Sequence, residues 1–82
     1  MSFYVYILYS ELHDRYYIGQ TSDVVIRLTR HNAGLEKSTS PYLPWEVKCV
    51  VEKPTRGQAM ILERKLKNFN KQKLIKFISK YA

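Results

Sequence analysis

The chain has 82 residues, with 14 Lys and Arg against 7 Asp and Glu, a formal charge of +7 that is large for a length with room for one core. A hydrophobic content of 45 % argues against a disordered tail, and no apolar run approaches the length of a membrane-spanning helix. The excess of positive charge favours a partner rich in phosphate, or less often an anionic lipid surface.

The single Cys49 cannot close an internal disulfide, which fits a reducing compartment. With no basic-plus-apolar leader ahead of the first strand, a cytoplasmic protein is expected. Repeats and low-complexity segments are absent, so residues 1–82 read as one domain.

Residues 3–9, Phe-Tyr-Val-Tyr-Ile-Leu-Tyr, are apolar on both alternations. Such a strand belongs in the middle of a sheet covered on both faces. The polar stretch Ser10-Glu11-Leu12-His13-Asp14 predicts a turn, and residues 15–20 return as the second strand of an antiparallel hairpin. Gly19 sits late in that strand, where a missing side chain lets another group approach the backbone.

Ser22 or Asp23 can cap a helix that runs to about Asn32 and stops at Gly34. Val24, Val25 and Leu28 are its expected buried stripe; Arg27 and His31, four apart, share a different face. Residues 33–44 form a long loop, of the kind that is often functional. Trp45, Val47, Cys49 and Val51 alternate with Glu46, Lys48 and Val50, which predicts a half-buried third strand nearer an edge, with Cys49 in the core beside Trp45 and Val47. Thr55-Arg56-Gly57-Gln58 fits a capping box for a second helix with the stripe Ala59, Leu62, Leu66 and Phe69. Asn70 can cap a third helix, in which Leu74, Phe77, Ile78 and Tyr81 repeat at i, i+3, i+4 and i+7. The order is β-β-α-β-α-α. It predicts a small α+β domain, a three-stranded antiparallel sheet flanked by helices.

Taken singly, the polar residues have ordinary explanations. A tyrosine suits a strand and buries its ring. Glu63 reads as the i,i+4 surface partner of Lys67, Arg27 as a solvent-facing helix residue, and His31 as a C-terminal histidine favoured by the helix dipole. His13 reads as surface. Together they form a pattern. Tyr4-Val5-Tyr6 on the first strand, Tyr17-Ile18-Gly19 on the second, Arg27 and His31 on the first helix and Glu63 on the second stand in order in a chain of domain length. In this arrangement the chain resembles a GIY-YIG nuclease domain, and the resemblance covers nearly all of it. Tyr4 departs from the motif, standing where the family has its first glycine; Tyr6 still supplies the reactive hydroxyl.

The resemblance implies a metal-dependent endonuclease that hydrolyses phosphodiester bonds in DNA, with branched or damaged DNA as a target class. It gives catalytic roles to Tyr6, Tyr17, Arg27, His31 and Glu63. Glu63 is the implied ligand of a divalent ion, Mg²⁺ or Mn²⁺, which often takes few protein ligands and keeps several waters. Arg27 is suited to hold a phosphate through its planar fork of donors. A tyrosine, with a pKa near ~10, serves as a base only where positive charge favours the phenolate. Tyr6 is the preferred base, with Tyr17 orienting water or phosphate; His31 relays a proton or binds phosphate. Tyr6, Tyr17, Arg27 and Glu63 are expected to converge on one concave face. Lys37, Arg64, Lys65, Lys67, Lys71 and Lys73 are the expected nucleic-acid contacts, positioning a backbone without reading sequence. Specificity is then left to a protein partner or a second copy. The competing reading is a nucleic-acid-binding module that keeps the fold without the chemistry; a carboxylate at position 63 argues against it, because it repels phosphate unless a cation intervenes.

Overall fold

A computed structural model describes residues 2–81. Its elements follow the predicted order: β1 (Phe3–Ser10), β2 (Arg15–Thr21), α1 (Val24–Asn32), a 3₁₀ turn (Ser40–Tyr42), β3 (Glu46–Lys53), α2 (Arg56–Lys67) and α3 (Lys71–Tyr81). The sheet is antiparallel with the order β2-β1-β3, so the doubly apolar first strand is the central one. Val5, Tyr6, Ile7 and Leu8 are all buried, as a strand covered on both faces requires.

Each helix begins at a side-chain cap that the sequence makes available. Asp23 accepts from the Ile26 amide, Thr55 from the Gln58 amide and Asn70 from the Lys73 amide. After α1, Gly34 takes a positive φ of 76°, the left-handed conformation in which glycine carries no penalty.

The sheet separates two cores. On one face Val5, Ile7, Ile18 and Cys49 pack with Ala59 and Leu66 of α2 and Leu74 of α3, joined by Leu62, Phe69, Phe77 and Ile78. The stripe expected for α2 therefore faces the sheet, as do Leu74, Phe77 and Ile78 of α3; Tyr81, the last residue of the α3 stripe, is exposed instead, its ring against Phe77. On the other face Tyr6, Leu8 and Trp45 pack with Tyr17, Leu28, Tyr42, Leu43 and Val47. Helix α1 and the loop after it close this second layer.

Two expectations need correction. In α1, Val25 is 76 % exposed, Val24 and Leu28 are half-buried, and the one buried residue is His31. A nine-residue helix beside a tyrosine-lined face turns its polar stripe inward, because the layer beneath it offers hydroxyls as partners. In β3, the register shifts between Ile7, opposite Cys49, and Leu8, opposite Val47. Lys48 is the extra residue, and such a bulge inverts the alternation. Cys49 is buried as expected, but on the face opposite Trp45 and Val47.

Candidate active site

Pairing of β1 with β2 sets Tyr6 opposite Gly19 and Leu8 opposite Tyr17. Tyr6 and Tyr17 thus project to the α1 side of the sheet, with ring centroids 6.3 Å apart. Gly19 is required by what lies over it. A Cβ there would stand 2.5 Å from the Tyr6 hydroxyl and 3.1 Å from the Tyr17 ring. The glycine leaves the space that the hydroxyl fills.

Helix α1 brings Arg27 and His31 to the same place. His31 Nε2 lies 3.0 Å from the Tyr6 hydroxyl, and its ring packs edge-on against Tyr17 at 5.0 Å. The Arg27 guanidinium lies beside the Tyr6 hydroxyl, and its charge acts there. Its Nε–H is buried and has no partner among the described residues. Glu36, in the loop after α1, pairs with Arg30 at 3.0 Å and lies 3.9 Å from Arg27.

These contacts set the proton affinities. Burial pushes the Tyr6 phenol up to about 12, against the opposing pull of the Arg27 guanidinium. Burial, helped by the charges of Arg27 and Arg30, lowers the His31 pKa below 6.5, although Glu36 acts the other way. Arg30, by its hydrogen bond, holds the Glu36 carboxyl below the usual carboxylate range, with Arg27 and His31 adding to it. The centre is therefore a neutral phenol on a neutral imidazole beside a fixed cation.

Glu63 does not join this cluster. It belongs to α2, which covers the opposite face, and its Oε1 accepts from Gln20 Nε2 at 3.2 Å. Gln20 follows Gly19 on the edge strand and pairs with Val5, so it projects away from Tyr6. The expectation that all four residues share one concave face holds for Tyr6, Tyr17 and Arg27 and fails for Glu63. Its carboxylate reaches the same edge strand from the other layer. The ordinary partner predicted for it is also present, with Lys67 3.2 Å from Oε2.

Glu63 is a hard oxygen donor with 19 % side-chain exposure. Among the described residues no group of three or more His, Cys, Asp or Glu side chains is gathered to hold a metal ion. One carboxylate suits Mg²⁺ or Mn²⁺, which keep waters and take further oxygens from a substrate phosphate. Lys67 is 55 % exposed and can swing aside at little cost, as a surface pair is weak.

The expected nucleic-acid contacts divide. Lys37, Arg64, Lys65 and Lys73 are exposed. Lys67 is held by Glu63 and Lys71 by Asp14. His13 is exposed, as predicted, against the edge of the Tyr42 ring. Sequence reasoning missed Gln20 and Thr39. Gln20 has a weak signal in its place beside Gly19. Thr39 has none, lying between two serines in a polar loop, yet it is fully buried with its hydroxyl 2.8 Å from His31 Nδ1.

The GIY-YIG catalytic-domain profile matches residues 2–76. Among solved structures, the chain is similar to a UPF0213 protein from Bacillus halodurans, determined in solution by NMR. The two share 30 % identity and a TM-score of 0.63, over 96 % of this chain and 84 % of that one. No curated protein matches. Among the described residues no helix is long and apolar enough to cross a membrane.

Proposed function

The chain belongs to the GIY-YIG catalytic-domain family, a family of nucleases, and on that premise we propose that it is an endonuclease hydrolysing phosphodiester bonds in DNA, branched or damaged DNA included. The observation that carries this reading is Arg27. A buried guanidinium N–H without a partner, beside a tyrosine hydroxyl, is a costly feature in a fold with no use for it. A phosphate oxygen satisfies it with a charge-assisted hydrogen bond.

The residues then divide the work. Arg27 grips the scissile phosphate and offsets the charge that builds on it. Tyr17, half-buried at the mouth of the cluster, orients the attacking water. Tyr6 takes a proton from that water while its own passes to His31 Nε2, 3.0 Å away. The water oxygen bonds to phosphorus, the bond to the leaving oxygen breaks, and that oxygen takes a proton from solvent. Burial makes Tyr6 a poor base alone, so the imidazole is needed to receive the proton. Glu63 would hold a divalent ion of the kind this family generally uses, which when bound would supply charge stabilisation to the reaction. The substrate lies across the rim of β2, between the tyrosine layer and α2, with Lys37, Arg64, Lys65 and Lys73 along the backbone and Lys67 and Lys71 joining when released from their acids. A protein partner or second copy supplies specificity, and the cytoplasm is the setting.

One observation favours the second reading, a binding module without catalysis: Glu63 is engaged by Gln20 and Lys67 on the far side of β2. The deciding experiment is cleavage of plasmid, flap, bubble and junction DNAs with Mg²⁺ or Mn²⁺. Metal-dependent nicking of any of them, lost in Arg27→Ala, supports the enzyme. Binding without cleavage across the panel supports the module.

A further inference from the structure

We propose that Thr39 is a positioning residue for the proton path: it fixes His31 in the tautomer protonated at Nδ1, which leaves the Nε2 lone pair facing Tyr6. The inference rests on the reading of Tyr6 and His31 as the proton-accepting pair.

The protons of this cluster can be counted. Tyr6 is 1 % exposed, and its hydroxyl lies 3.0 Å from His31 Nε2, with the Arg27 charge, a group that can only donate, acting beside it. The hydroxyl proton therefore goes to Nε2. A neutral His31 must then carry its own proton on Nδ1, which donates to Thr39 Oγ1 at 2.8 Å. The Thr39 hydroxyl proton in turn has the Glu36 carbonyl oxygen, 3.4 Å away. Every proton in the chain finds an acceptor. The other tautomer points Nε2–H at the Tyr6 oxygen, beside a guanidinium that cannot accept. It strands the Tyr6 proton and turns the Thr39 hydroxyl away from Glu36. A buried polar group without a partner is costly, and the bond made at one ring nitrogen decides the state of the other.

Thr39 is itself firmly placed. Its amide donates to the Glu36 carbonyl at 3.1 Å, and its carbonyl accepts from the Tyr42 amide at 3.0 Å and from Trp45 Nε1 at 2.9 Å. The loop is thereby tied to the aromatic layer beneath it. These ties are made by the Thr39 backbone, so a change of side chain leaves them intact.

The test pairs spectroscopy with kinetics on the whole chain. Nitrogen-15 shifts of the His31 ring are expected to show Nδ1 protonated and Nε2 bare in the wild type. Thr39→Val keeps the branched shape and removes the hydroxyl. It is expected to raise the Nε2-protonated fraction and to lower kcat up to about tenfold at unchanged KM, the scale of one lost neutral hydrogen bond. Thr39→Ser is expected to restore both. A wild-type His31 protonated at Nε2 overturns the proposal, whether or not the variants fold. So does a folded Thr39→Val with wild-type tautomer. If no DNA is cleaved, the enzyme reading fails while the tautomer measurement still decides the role of Thr39.

Discussion

The hydroxyl of Tyr6 stands 2.5 Å from the place a Cβ would take on Gly19. The two strands are neighbours, and the glycine is the recess into which the phenol fits. Tyr6 is buried and tied to His31, so it cannot yield to a methyl group by a cheap rotation. Gly19→Ala is expected to destabilise the fold by about 1–3 kcal/mol through overpacking and to reduce cleavage more than binding. Urea denaturation and a cleavage assay on the same preparation check this; an alanine variant with wild-type stability contradicts it.

Glu63→Gln separates enzyme from binder. The substitution keeps shape and helix propensity and removes the charge that holds a cation. Cleavage is expected to fall by about 10²-fold or more, while metal-free DNA binding persists or tightens as one negative charge disappears. Stability should change little, because an isosteric change at a partly exposed site disturbs no core packing. A variant that cuts at the wild-type rate makes Glu63 no more than the surface partner of Lys67.

Arg27→Ala should differ in kind. It removes the phosphate grip and the cation beside Tyr6 together, so both cleavage and DNA affinity are expected to drop. Arg27→Lys retains charge and loses the planar fork, and is expected to recover affinity more than rate. Equal recovery of both argues that Arg27 acts as a point charge alone.

Stability should depend on pH through His31. Burial lowers its folded pKa below the unfolded 6.5. Between those two values the unfolded chain binds more protons, so stability rises with pH across that window and is lost as pH falls through it. The urea midpoint is expected to decline below about pH 6.5 in the wild type and less steeply in His31→Gln. Parallel profiles for the two proteins remove His31 as the cause.

DNA binding should be mostly electrostatic. The charge of +7 and the exposed Lys37, Arg64, Lys65 and Lys73 favour backbone contacts that carry no sequence information. Plotting log affinity against log salt is expected to give a clearly negative slope. Affinity that holds as salt rises points instead to stacking or base readout.

The order of elements and the helix caps were legible because they depend on local chemistry. Asp23, Thr55 and Asn70 each bond an amide three residues ahead, and the apolar runs of β1, α2 and α3 carry their own periods. The errors lie where one element answers to another. Nothing in Val24-Val25-Ile26 announces that α1 turns His31 inward and leaves Val25 in water; that follows from the hydroxyls beneath it. Alternation cannot reveal the added residue in β3, since Trp45, Val47 and Cys49 keep an even spacing through it. Motif spacing brought Tyr6, Tyr17, Arg27 and His31 to one cluster. It could not place Glu63, because the face a helix covers is decided by how the whole chain crosses the sheet.

The shift of register at Lys48 has a bearing on how such a chain can change over generations. A single surplus residue sets the evenly spaced Val47 and Cys49 on opposite faces of the sheet. The side chain at position 48 is exposed and open to exchange, and the position itself is one that β3 can lose. Deleting it would set Val47 next to Cys49 in unbroken pairing with Leu8 and Ile7, each still on the face it now covers. The Glu11–Asp14 turn, exposed throughout, is a second place where the chain can change length. Insertions and deletions in descendants of this chain should gather in that hairpin and at position 48, and avoid the rest of β3.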